Sequence, residues 1–217
     1  MAVQREPFGM FLVMVDPDSK FEKLLGVAAM APYFIMCALA VLLLRCRELL
    51  VAVWLSGHLL NEALNLVLKK VIKEPRPPGA PRVGFDEHGM PSSHSQFMGF
   101  YLVFSSCVLL FRVRNVRAHW KLGAVAFNAL LSAAVLHGRI LLGFHTPPQV
   151  LVGFGVGCAA GLAYFFLARA VLFPAFGRIA RWPLMRLLLA RDAAGVDNVM
   201  QFEHDAYART QSAVKSK

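Results

Sequence analysis

Two histidines, two arginines and a lysine are the residues of this sequence best suited to chemistry. Lys69 and Arg76 are separated by six intervening residues in "KKVIKEPRP", where Pro75 and Pro77 stiffen the backbone around the arginine. "GMPSSHSQFMGF" follows at residues 89–100 and carries His94 to the lip of an apolar run. "GRILLGFHTPPQV" at residues 138–150 supplies Arg139 and, six positions on, His145. Cations next to helix N-termini suit a phosphate group. An imidazole titrates near neutrality, so one neutral ring can attack while a second, protonated ring donates to a leaving oxygen.

The spacing also says how these groups are presented. Proline followed by serines reads as a helix start. The backbone N–H groups of Ser92 and Ser93 are expected to point outward there as phosphate donors, with His94 in the first turn. Thr146 and the Pro147–Pro148 pair read as the N-cap and first turn of another helix. This chemistry needs no metal and no cofactor, and the sequence suggests neither. Asp86 and Glu87, next to His88, form the only local carboxylate cluster and read as a solvated turn.

The elements that hold these groups must cross a membrane. Of the 217 residues, 57% are hydrophobic and only 17% charged, and the mean hydropathy is +0.54. A soluble domain of this length would be more polar. Apolar segments at residues 24–44, 49–68, 97–111, 122–137 and 150–173 give five spans, the second being the most polar. Pro32 is expected to be tolerated inside the first, and the glycine and alanine of the fifth favour close helix packing. The fold class is therefore all-α, a polytopic membrane helical bundle of about five transmembrane helices. Residues 1–173 form the membrane-embedded domain and 174–217 a C-terminal cytosolic tail. Cys37, Cys46, Cys107 and Cys158 contain no CxxC pair and imply neither a disulfide framework nor a zinc site. No cleavable signal peptide is evident, so the first long apolar segment is expected to act as an uncleaved anchor.

Five spans put both polar loops on the same side of the membrane as the N-terminus. Nine of the 23 Lys and Arg residues fall on that side and fourteen on the other, where "RVRNVRAHWK" is concentrated. The positive-inside rule assigns the second side to the cytosol, so the two loops face a lumen or the exterior. The formal net charge of +10 then belongs to cytosolic loops and an anionic ligand rather than to nucleic acid. In the second span, His58, Glu62, Asn65 and Lys69 follow helical spacing, and polar residues in a span face the bundle interior. Glu62 is thus expected to point inward. It either fixes helix packing or orients Lys69 or a histidine.

K-x6-R-P, then P-S-x-H, then R-x5-H, in this order around membrane helices, resembles the type 2 phosphatidic acid phosphatase superfamily. The motifs span residues 69–149. "EPRP", "GMPSSHSQFM" and "HTPPQV" look most like its dolichyl diphosphatase branch. In that branch a serine, here Ser93, replaces the glycine of P-S-G-H, and Ser-Gln follows the histidine, as Ser95 and Gln96 do here. The tail from "FPAFGRIARWP" to "DNVMQFE" is similar as well. The resemblance implies a phosphatase core in which His145 is the nucleophile and His94 the acid and then the base. Lys69, Arg76 and Arg139 would hold the phosphoryl oxygens, with Ser92 and Ser93 assisting. It also implies dolichyl diphosphate as the lipid substrate, no cofactor, and a place in the endoplasmic reticulum membrane. Two positions depart from the superfamily pattern. Gly138 stands where a serine usually precedes Arg139. Gln149 stands where an aspartate usually orients the nucleophile; its carbonyl can accept the same N–H but brings no charge. Other lipid phosphatases of the superfamily, acting on undecaprenyl diphosphate, phosphatidate or a sphingoid phosphate, would share the motifs. A non-enzymatic lipid-binding scaffold would not need them.

Overall fold

The computed structural model describes residues 6–8, 13–80, 88–113, 116–193, 195–196 and 199–215, with side chains from residue 15 on except those of 213 and 215. Arg5, Arg82, Arg114 and Lys217, which entered the charge count, and the Asp86–Glu87 turn lie outside the described residues.

A short antiparallel hairpin opens the chain, β1 (Glu6–Phe8) pairing with β2 (Val13–Val15). Helices α1 (Lys20–Ala28) and α2 (Ala31–Cys46) follow, then α3 (Leu49–Ile72), α4 (Ser93–Cys107), α5 (Ala118–Leu141) and α6 (Pro147–Leu167). Helix α4 ends in a π-helical turn at Val108–Arg112. A second such turn at Ala168–Leu172 leads from α6 into α7 (Phe173–Ile179). Helices α8 (Pro183–Leu187) and α9 (Val199–Lys215) complete the chain.

Among the described residues, five helical segments are long and apolar enough to cross a membrane: Lys20–Cys46, Leu49–Ile72, Ser93–Arg112, Ala118–Leu141 and Pro147–Ile179. They are the five expected spans, each longer than its apolar run. The chain is a multi-pass membrane protein. Two boundaries differ in kind. The first span is not one helix through Pro32. It breaks at Ala29–Met30, and Pro32 sits in the first turn of α2, where its missing N–H costs no intrahelical bond. The fifth span does not stop at residue 173, because the π turn accommodates Pro174 and the helical path continues to Ile179.

Helix α4 is the centre of the bundle: 56% of its span is buried, against 28% in each of the other four. Its closest neighbour is α6. Gly153, Gly157 and Gly161 line the face of α6 that meets α4, and Cβ atoms at 153 and 161 would lie 2.6 and 2.9 Å from the Ser92 and Phe100 carbonyl oxygens. The two backbones therefore touch directly, as small residues permit in membranes. Helix α3 is fastened to α4 by amides. Gln96 Nε2 donates to Asn61 O (2.9 Å) and Oδ1 (3.1 Å), and Asn65 Nδ2 donates to Gln96 Oε1 (2.7 Å).

At the far end of the bundle the segment after α8 folds back. Arg191 N–H donates to Arg47 O and Leu49 N–H to Arg191 O, both at 2.9 Å. The Arg191 guanidinium joins Glu203 (2.7 Å), and Arg112 joins Asp192 (3.0 Å) while covering the ring of Phe173 (4.2 Å). The part of the tail around Arg191 thus packs on the turn between α2 and α3.

Candidate active site

The polar motifs meet where α3 and α5 end and α4 and α6 begin. Helix α3 stops with Lys73 in a left-handed conformation (φ 54°), its N–H returning to Lys69 O. This turns the chain into the Glu74–Arg76 segment, where Pro75 pairs with His88 across an isolated bridge. Lys69 is fully buried and donates through Nζ to His88 O (3.0 Å). Arg139, in the last turn of α5, is also buried, stacks over Phe144 (3.9 Å), and keeps an Nε without a hydrogen-bond partner among the described residues. A buried guanidinium edge of this kind is a place for an anion.

His145 follows within one turn, its N–H donating to Arg139 O (3.1 Å). Thr146 and Gln149 form a capping box: Thr146 Oγ1 accepts from Gln149 N–H (3.4 Å), and Gln149 Oε1 accepts from Thr146 N–H (3.3 Å). The same Oε1 lies 3.2 Å from His145 Nδ1. His145 is 2% exposed. Burial first, then the charges of Arg139 and Arg76 and finally Lys69, push its pKa down to about 3, against the Gln149 hydrogen bond that raises it. The ring is therefore neutral at physiological pH.

His94 lies in the first turn of α4, within electrostatic range of His145, Arg139, Arg76 and Lys69. Tyr33 of α2 meets its ring edge-on at 5.7 Å. Ser93 opens the helix, so its N–H has no intrahelical partner. Ser92 differs from expectation. Its N–H is donated to Gln149 O (3.1 Å) and its hydroxyl accepts from Ser95 (3.0 Å), both fully buried. Ser92 ties α4 to α6, and the outward-facing donor at this helix start is Ser93.

Glu62 also departs from its expected place. The buried face of α3 runs through His58, Asn61, Asn65 and Lys69, while Glu62 is exposed. Spacings of 3, 4 and 4 fit the helix as well as 4, 3 and 4 do, and the amides match Gln96 where a carboxylate could not donate. Glu62 instead lines a cavity of about 220 Å³ together with His58, Ser93, His94 and Phe97. The carboxylate that does reach the His145 surroundings is Glu74, whose Oε1 accepts from Gln149 Nε2 (2.8 Å). Glu74 was visible only as the first letter of "EPRP", with no periodicity to mark it. Asn61 was findable as a second amide one turn from Asn65 in an apolar span.

Buried cations gather around a neutral histidine, with a second histidine at a helix start, at one end of a membrane helical bundle. Residues 48–171 match the PAP2 superfamily, and the chain belongs to that superfamily of phosphatases. Its relatives place it in the dolichyldiphosphatase branch. Dolichyldiphosphatase 1 of Homo sapiens is 38% identical over 192 residues, covering 83% of this chain and 79% of its own length. Dolichyldiphosphatase of Saccharomyces cerevisiae is 34% identical over 169 residues, 74% of this chain and 70% of its own. Lipid phosphate phosphatase gamma of Arabidopsis thaliana is 29% identical over 163 residues, 73% and 71% of the two chains. No solved structure matches the chain.

Proposed function

We infer that this protein hydrolyses dolichyl diphosphate to dolichyl monophosphate and inorganic phosphate through a phosphohistidine. The observation that carries the reading is His145: buried, neutral, held at Nδ1 by Gln149 and ringed by Arg139, Arg76 and Lys69. Its Nε2 lone pair attacks the terminal phosphorus. The bond from that phosphorus to the bridging oxygen breaks, and a proton brought in on the diphosphate passes through His94 to that oxygen as dolichyl monophosphate leaves. His94, now neutral, takes a proton from water, whose oxygen attacks the phosphohistidine, releases phosphate and restores His145. Lys69, Arg76, Arg139 and the Ser93 N–H stabilise the charge on the phosphoryl oxygens; removing one such donor typically costs about a hundred- to a thousandfold in rate.

A polyprenyl diphosphate suits a site at the helix ends of a bundle, where the lipid stays in the bilayer and the head group enters the cationic pocket. The excess of basic residues at the opposite end supports a lumenal site and a cytosolic tail. The branch supports the endoplasmic reticulum membrane as the location and recycling of the dolichyl carrier for protein N-glycosylation as the role. The test is turnover of dolichyl diphosphate by purified protein. His145→Ala and His94→Ala are each expected to lose at least about a thousandfold, and a rapid alkaline quench with terminally labelled substrate, under which a phosphohistidine survives, should trap label in the wild-type protein but not in His145→Ala. Full activity of His145→Ala would sink the mechanism, and a clear preference for phosphatidate would move the substrate elsewhere in the superfamily.

A further inference from the structure

An amide holds His145 where the superfamily pattern has a carboxylate, and an amide has two chemically opposite ends. Four contacts decide which end faces the ring. Gln149 Nε2 lies 2.8 Å from Glu74 Oε1 and 2.8 Å from Pro75 O, both acceptors. Gln149 Oε1 lies 3.3 Å from the Thr146 N–H, a donor, and 3.2 Å from His145 Nδ1. Turning the amide over would set its NH2 against an N–H and its carbonyl against two acceptors. The orientation is therefore fixed, Oε1 can only accept, and the proton of the neutral His145 sits on Nδ1. The lone pair is left on Nε2.

We propose that Glu74 is a positioning residue for phosphoryl transfer: through Gln149 it fixes the Nδ1–H tautomer of His145 and supplies the negative charge that the amide lacks. The proposal rests on His145 being the nucleophile. A carboxylate that accepts from the amide N–H draws electron density onto Oε1 and makes it a stronger acceptor, and this matters most when phosphorylation leaves the ring positive. Glu74 and Gln149 together do what one aspartate at position 149 would do alone. Glu74 is itself anchored. Its carbonyl accepts the Gly89 N–H (2.6 Å), and Pro75 pairs with His88. Gly89 must be a glycine for this packing, since a Cβ there would come within 2.5 Å of Gln149 Nε2. The turn that aims Arg76 at the substrate thus also presents Glu74 to the back of Gln149.

The test uses the full-length protein in lipid–detergent micelles with dolichyl diphosphate. Glu74→Gln keeps the shape and removes the charge. It is expected to lower kcat about ten- to a hundredfold, as partners that fix a working histidine typically do, with KM within about twofold. The double variant Glu74→Gln/Gln149→Glu moves the carboxylate one place along the chain of hydrogen bonds. It is expected to run at least about tenfold faster than Glu74→Gln, a rescue that a purely structural glutamate gives no reason for. Wild-type kcat in Glu74→Gln, or a double variant no faster than the single one, overturns the proposal. If Glu74→Gln does not fold, Glu74→Asp withdraws the charge by one methylene; lowered kcat with unchanged KM supports the role and unchanged kcat overturns it. Inactive His145→Ala alongside fully active Glu74→Gln defeats this proposal alone, whereas active His145→Ala defeats the reading beneath it.

Discussion

At the scale of the residue, a neutral buried histidine leaves a pH signature. In the unfolded chain the imidazole titrates near its ordinary value of about 6.5, and in the folded protein His145 titrates at about 3. Between those values the unfolded state binds a proton that the folded state refuses. The stability of the neutral ring is therefore fully present above about pH 6.5 and is lost as the pH falls toward 3. From pH 7 to pH 5 this amounts to at most about 2 kcal/mol. The thermal midpoint should fall over that interval, and fall less in His145→Gln; equal falls in the two proteins would refute the assignment. The motif spacing brings Lys69, Arg76, His94, Arg139 and His145 to one end of the bundle, whereas the carboxylates follow no such spacing. Glu62 was chosen for its helical spacing, but the helix presents Asn61 in its place. Glu74 reaches Gln149 across 75 positions of chain, a distance at which no local pattern operates.

At the scale of the element, the α4–α6 contact sets the spacing of the two histidines. A methyl group at Gly157 would collide with the Gln96 carbonyl, while one at Gly155 on the other face meets nothing within 4 Å. Gly157→Ala should destabilise the protein by roughly 1–3 kcal/mol, the usual cost of overpacking, and lower turnover, whereas Gly155→Ala should do neither. Thermal unfolding and activity measured on the two variants side by side will decide. The glycine content of the fifth span advertised close packing, and hydropathy revealed all five crossings. It could not show the break before Pro32 or the extension past Phe173. An apolar run marks where lipid is tolerated, not where backbone hydrogen bonds stop.

At the scale of the whole molecule, catalysis and the tail occupy opposite ends of a helix that, at 24 residues, is about 36 Å long. Arg191, joined to Glu48 and Glu203, is too far away to touch substrate. Arg191→Ala is expected to lower stability by about 1 kcal/mol and leave kcat unchanged. A large loss of kcat at an unchanged thermal midpoint would show coupling between the ends. The contact at the active end has a consequence for biosynthesis. Gln149 joins the start of α6 to Ser92, His145 and Glu74. A nascent chain that has delivered Lys69, Arg76, His94 and Arg139 to the membrane has α4 fastened to α3 by the Gln96 amide, but not yet the Ser92–Gln149 bond that joins α4 to α6. The bonds from Gln149 to Ser92 and Glu74 can therefore close only after the last crossing has been synthesised.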